Sequence, residues 1–224
     1  MCPFGCTGLT PQGLKSKRVI AERGQKVVGT KRSNCRENVT VVVTINAAGE
    51  VMPPLIIFKG KRLQEDWLSK DTGVPGATYA VTDSSMMQGP VFFSFKKIYK
   101  YLVDNGRSDG KPHVILLDGH ASHLTLEVIR FAMDNNLVLF QLPSHSSHIT
   151  QPLDVCAFGI FKRRSTEVLQ GWARTHGNKV PVKSDMNEVI RQSWSQAFTP
   201  SNVMASFQVQ VVRGQWTQTK QSIG

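Results

Sequence analysis

Long apolar runs are missing from this chain: no stretch approaches the ~18 consecutive apolar residues that a membrane-crossing helix needs, so no span is expected. The opening residues, with Pro3 and Gly5 and no basic-then-apolar pattern, do not read as a secretory leader. Cysteine is scarce. Cys2, Cys6, Cys35 and Cys156 form no Cys-x-x-Cys pair, which argues against a zinc ribbon or a disulfide framework and for free thiols in a reducing compartment. Internal repeats are absent as well. Acid is in short supply, with 16 Asp and Glu against 27 Lys and Arg and a formal net charge of +11. That balance speaks to partners, not to fold, and favours a polyanion. Against these absences stands a chain of 224 residues, 40% of them hydrophobic, enough for one domain with a real core.

The scarce acids make two positions conspicuous. His113-Val-Ile-Leu-Leu-Asp118-Gly-His120-Ala-Ser-His123 carries four consecutive apolar residues that end in an acid. A run with no polar face predicts a buried strand, and Asp118 then stands at its carboxyl end, where open α/β sheets place their chemistry. After 35 intervening residues comes Asp154, in Leu142-Pro-Ser-His145-Ser-Ser-His148-Ile-Thr-Gln151-Pro152-Leu-Asp154. It follows a second apolar strand, Leu137 to Leu142, and opens a helix-like segment. Two carboxylates brought to one sheet edge repel unless a proton or cation lies between them, and oxygen ligands suit Mg²⁺ or Mn²⁺. Each has a plainer reading, Asp118 as a turn former and Asp154 as a helix cap. A zinc or di-metal hydrolase site using His120, His123, His145 and His148 is a further alternative; the His-x-x-His spacing and the Ser/Thr/Pro setting weigh against it.

The remaining pattern places these residues on a scaffold. Val39 to Ile45 is β-branched almost throughout and predicts a strand. Asn46 to Gly49 is a turn, and Val51 to Phe58 returns as a second strand, with Pro53 and Pro54 marking a bulge or an edge. A short strand before Gly8 would complete a meander. Gly60 to Ala77 reads as a polar connection anchored by Trp67. Helices are expected over 91–103, over Ser122 to Asn135 with Leu126, Ile129, Ala132 and Met133 facing the core, and over Pro152 to Thr175. One more is expected, over Ser184 to Ala197 with Ser184 as a possible cap. The alternation predicts an α/β fold, a mixed sheet covered by helices.

Thr7-Gly8-Leu9, Val39 to Gly60, Asp118-Gly-His-Ala-Ser-His123 and Pro143 to Lys162 together resemble the DDE-type nuclease domain of pogo/Tigger transposases and their jerky and centromere-protein-B relatives, over about Thr7 to Phe207. The resemblance implies a ribonuclease-H-like fold over residues 1–207, followed by an irregular tail over 208–224. It implies three acids binding two divalent metals, Mg²⁺ or Mn²⁺, that cut and join DNA strands. Asp118 and Asp154 match the second and third acids, and His120, His123, His148 and Gln151 match loop and site scaffolding. The first acid belongs to an Asp-Glu-Thr-Gly motif, for which this chain has Gly5-Cys6-Thr7-Gly8. Gly5 therefore stands where the first acid is expected, in a strand that looks truncated. Glu22 and Glu37, the next acids, lie in a basic stretch and are not assigned. A decayed or domesticated copy and a misassigned start both account for the loss.

Basic residues flank the acids. Lys15, Lys17, Arg18, Lys31 and Arg32 lie in one cluster and Lys162, Arg163 and Arg164 in another, just beyond Asp154. They are candidates for non-specific, salt-sensitive contact with the DNA backbone; the plainer reading is a solvated basic surface. A nuclear location follows from charge and resemblance. No counterpart of the family's upstream helix-turn-helix domain is found in these residues, and oligomeric state is not readable. The expectation is thus a transposase-derived DDE endonuclease domain that binds nucleic acid and is inactive for want of one acid, or alternatively a domesticated DNA-binding or interaction protein without catalysis.

Overall fold

A computed structural model describes residues 2–11, 38–68, 71–83, 88–107, 110–117, 124–143, 151–177 and 179–213. Its frame is a six-stranded mixed sheet in the order β4-β3-β2-β1-β5-β6. The strands are β1 (Cys2–Leu9), β2 (Val39–Thr44), β3 (Leu55–Lys59), β4 (Thr78–Thr82), β5 (His113–Leu117) and β6 (Leu137–Gln141). β1, β2 and β3 form an antiparallel meander, while β1–β5, β5–β6 and β3–β4 are parallel. The helices are α1 (Gln88–Asp104), α2 (Leu126–Asp134), α3 (Phe158–Thr175, preceded by a π-type turn over Leu153–Ala157), α4 (Met186–Ala197) and α5 (Pro200–Arg213).

Alternation along the strands builds a core on each face. Val41 and Val43 of β2 and Ile56 and Phe58 of β3 pack with Phe158, Phe161 and Leu169 of α3 and with Val189, Ile190 and Trp194 of α4. Val42, Leu55 and Ile57 point the other way, toward Phe95 and Ile98 of α1, Ile115 and Leu117 of β5, and Val128 and Ala132 of α2. Trp67 anchors its connection as expected. It is buried against Phe58, its carbonyl accepts from Asn187 Nδ2 at 2.6 Å, and Lys183 Nζ lies 4.3 Å from its ring centroid.

The first strand corrects the expectation of a clipped element. It is eight residues long because it runs on through Gly5 to Leu9. Six of those residues pair with β2, from Phe4↔Thr44 to Leu9↔Val39, and among the described residues Cys2 and Pro3 pair with β5.

Pro53 and Pro54 do mark a bulge. Ile45 bridges Val51 and Val42 pairs with Leu55, so four steps on one strand face three on the other. The carbonyls of Pro53 and Pro54 accept from Lys97 Nζ of α1 at 2.8 and 3.1 Å, and Thr78 Oγ1 lies 3.1 Å from the same ammonium. Lys97 thereby ties α1 to the bulge and to the start of β4. Lys97→Met removes this donor while keeping the apolar stem, and it is expected to lower unfolding free energy by about 2 kcal/mol, the usual cost of stranding such acceptors. Urea denaturation checks this; an unchanged midpoint would show that water replaces the ammonium without loss.

Other elements depart from expectation. β4 was not anticipated; its five residues are all half-buried and lie at the sheet's edge. α2 begins at Leu126, with Thr125 Oγ1 accepting from Val128 N; of the anticipated core residues it buries Ala132, and with it Val128. Leu126, Ile129 and Met133 are 61%, 40% and 75% exposed, because the nine-residue helix seats a narrow i, i+4 line on the sheet and turns its i, i+3, i+7 line outward. Asp185, not Ser184, precedes α4, and its carboxylate accepts from Val182 N. The last helix continues to Arg213, past position 208, where irregular chain was expected; residues 214–224 lie outside the described part.

Candidate functional site

The corner between β1 and the start of α3 gathers what the described residues contribute. Along β1, Gly5 and Thr7 are buried on the face covered by α3, whereas Phe4 packs on the α1 face. Pro3 O accepts from Ile45 N toward β2, so Phe4 O, one residue on, points to the β5 side. Gln151 meets it there: the residue is 1% exposed, and its Nε2 donates to Phe4 O at 2.8 Å. Gln151 Oε1 is buried and finds no hydrogen-bond partner among the described residues. A methyl group built on Gly5 would lie 2.9 Å from Gln151 Nε2, 3.1 Å from Leu153 Cδ1 and 3.3 Å from Phe158 Cε2.

Asp154 stands three residues beyond Gln151. Pro152 opens the helix, where a missing N–H costs nothing, and Val155 N closes the first turn onto Gln151 O at 3.0 Å. The wide turn over Leu153–Ala157 sends Leu153, Ala157 and Phe158 into the core and leaves Asp154 exposed in the first turn. A carboxylate is favoured there by the helix dipole, and π-type turns recur at functional positions.

Asp118 follows Leu117, the fully buried last residue of β5, and lies outside the described residues. So do His120, His123, His145 and His148, and so do Lys15, Lys17, Arg18, Lys31 and Arg32. Lys162, Arg163 and Arg164 are on α3. Arg163 is exposed, Lys162 is half-buried, and Arg164 is engaged with Glu167 at 2.8 Å.

Among the described residues no three His, Cys, Asp or Glu side chains stand together in a way that could hold a metal ion. Of the expected three-acid set the described residues supply only Asp154. Position 5 carries no side-chain oxygen, and a side chain there would need Gln151, Leu153 and Phe158 to shift. This corner as it stands does not fit a metal pair held by three carboxylates.

Sequence reasoning named Gln151 as scaffold but missed what it holds. The Gln151–Phe4 contact joins residues 147 apart, and no local pattern announces it. Cys2, Cys6 and Cys156 form no disulfide among the described residues. Burial pushes the Cys2 thiol pKa up from its ordinary value, away from the reactive thiolate.

Comparison with known proteins places this geometry. A family model described as "DDE superfamily endonuclease" matches residues 36–207, which runs from β2 into the first half of α5 and leaves β1 outside. One relative, "MFS-type transporter clz9" of Cochliobolus lunatus, is 28% identical over 172 residues, covering 77% of this chain but 18% of that protein. No helix among the described residues is long and apolar enough to cross a membrane. Among solved structures, the Mos1 mariner paired-end complex with Mn superposes with a TM-score of 0.51 at 14% identity, covering 96% of this chain and 56% of that one. The Mos1 transposase paired-end complex with left transposon end gives 0.49 at 13% identity, covering 96% and 55%. The chain thus spans just over half the length of those structures and under a fifth of that relative.

Proposed function

The chain belongs to the DDE superfamily endonucleases, with a ribonuclease-H-like α/β fold, and from that premise we propose that this domain binds DNA along its phosphate backbone without cutting it. The observation that carries the second half is the closed space beside Gly5. Position 5 carries no side-chain oxygen, and a Cβ there would crowd Gln151 Nε2, Leu153 Cδ1 and Phe158 Cε2 at 2.9, 3.1 and 3.3 Å. Asp118 and Asp154 are the two acids to which any residual Mg²⁺ or Mn²⁺ affinity is assigned, and we assign the domain to the pogo/Tigger branch.

Binding is assigned to cations on the helix that carries Asp154 at its start. Arg163 and Lys162 are the exposed and half-exposed members, and the net charge of +11 supplies the general attraction. The Mos1 mariner structure of similar fold is a paired-end complex with Mn, and a DNA-acting role would put this chain in the nucleus. The test is a titration of Mn²⁺ and a short DNA duplex into the purified chain, beside an Asp118→Ala/Asp154→Ala variant. The expected result is salt-sensitive duplex binding by both proteins and no metal-dependent nicking by either. Mg²⁺- or Mn²⁺-dependent nicking that the double variant loses would overturn the non-catalytic half of the reading.

A protein-interaction role is the second reading, favoured by one observation. Leu126, Ile129 and Met133 of α2 and Val138 and Phe140 of the edge strand β6 are all exposed, a concentration of apolar surface of the kind that marks contact sites.

A further inference from the structure

Where β3 ends, Lys59, Lys61 and Arg62 crowd three cations into four residues, well away from α3 in the sequence. We infer that this turn is a second contact for the DNA phosphate backbone, separate from the Asp154 corner and from the cations of α3. The inference rests on the DNA-binding reading and adds to it a surface and the residues that form it.

The first observation is how firmly the turn is held. Leu55 to Phe58 are buried and Lys59 emerges exposed; Lys61 and Arg62 are exposed as well. Lys59 pairs with Thr82 of β4, and Gly60 N donates to Thr82 O at 2.9 Å. Gly60 then passes over Trp67 so closely that a Cβ there would lie 3.2 Å from Cη2. Lys183 Nζ lies over the same indole and donates to Lys59 O at 2.7 Å, which fixes a fourth positive charge against the turn. Cations on a backbone already ordered give up less freedom on meeting a fixed array of phosphates.

The second is the charge itself. Exposed as they are, Lys59, Lys61 and Arg62 add nothing to the core, and their crowding costs the fold some repulsion. Glu65 and Asp66 are exposed on the short helical turn that follows, so the positive field is confined to the Lys59–Arg62 side. A polyanion relieves that repulsion and gains by releasing its own counterions.

The third is position. β1, β3, β4, β5 and β6 run in one direction, so Lys59 leaves β3 at the rim where the chain also leaves β5 after Leu117. Ile57 is level with Thr40 and Thr40 with Gly8, whereas Leu116 is level with Pro3. Counting on, Lys59 is level with Thr10 and Leu117 with Phe4. From Leu117 to Lys59 is therefore about 14 Å across the sheet and about 20 Å along it. The direct span is about 24 Å, or about seven base pairs of duplex. The turn thus meets phosphates that a group at the corner does not reach.

The test is anisotropy of a labelled 20-base-pair duplex against the full chain at several salt concentrations. If two of the three cations meet phosphates, Lys59→Ala/Lys61→Ala/Arg62→Ala flattens the slope of log K against log salt by about 1.8 and lowers affinity about 50-fold near 0.1 M salt. The control, Lys96→Ala/Lys100→Ala/Arg130→Ala, removes the same charge from exposed positions on α1 and α2 and should change the slope by less than about 0.5. Equal losses from both variants would show general attraction only and overturn the inference, as would an unchanged slope in the first. Tm of the turn variant should stay near that of the unmodified chain, as for other exposed side chains; a large fall would assign the cations to the fold instead. A chain that binds no duplex sinks the DNA-binding reading and this inference together. A slope lost in Lys162→Ala/Arg163→Ala but kept in the turn variant sinks this inference alone.

Discussion

Replacing Lys162 and Arg163 together with alanine lowers duplex affinity by about 50-fold near 0.1 M salt and flattens the slope of log K against log salt by about 1.8, if each contacts one phosphate. The figure follows from counting two cations, not three. Arg164 is engaged with Glu167 and its Nε is buried without a partner, so its charge is partly committed to the helix itself. Arg164→Ala alone should therefore change the slope by much less than one unit. Thr166 Oγ1 bonds Lys162 O and Ser165 Oγ bonds Phe161 O, so the backbone of α3 is held by contacts that neither alanine removes. Fluorescence anisotropy with a labelled duplex at four or five salt concentrations measures both affinity and slope. An unchanged slope would mean that α3 is not the surface that meets the backbone, and the basic cluster at 15–32 would become the first place to look.

Much of the scaffold was legible because it obeys one local period. Val39 to Thr44 is strand because β-branched residues fill it, and both of its faces are buried because the chain covers it twice, with α3 and α4 on one side and α1 on the other. The bulge at Pro53 and Pro54 was readable because proline withholds a donor wherever it stands. What local pattern could not supply is which of two competing faces wins. In α2 the line Leu126, Ile129, Met133 is as apolar as the line Val128, Ala132, and only the sheet beneath decides between them. β4 was hidden for a similar reason. Five half-buried residues at an edge carry no strong alternation, and Lys97 of the helix that follows them helps fix their start. At the site, the absence of an acid at position 5 was plain from the residues alone. That Gln151 closes over the place was not, since the contact exists only once β1 and α3 are packed.

The second large effect belongs to the other side of α3. Phe161 is fully buried, with its ring centroid 5.3 Å from that of Phe198 and 6.1 Å from that of Trp194. Phe161→Ala leaves a cavity that these rings cannot refill without leaving their own contacts, since Trp194 already packs on Phe198 at 4.3 Å. Such truncations cost about 3–5 kcal/mol, which for a domain of this size is a fall of about 10 °C in Tm. Trp194 reports the change directly, because its fluorescence depends on the neighbours it would lose. Phe140→Ala, at a half-exposed ring on β6, removes the same atoms from a place that is not packed and should shift Tm by a small fraction of that. The contrast bears on function, because Lys162 and Arg163 follow Phe161 on the same helix and are presented only while that helix is docked. In Phe161→Ala, DNA affinity per folded molecule should stay unchanged at temperatures well below its Tm, while the salt slope keeps its full value. If the slope drops along with stability, then α3 must already shift within the folded state, and the surface it offers to DNA depends on how firmly its inner face is packed.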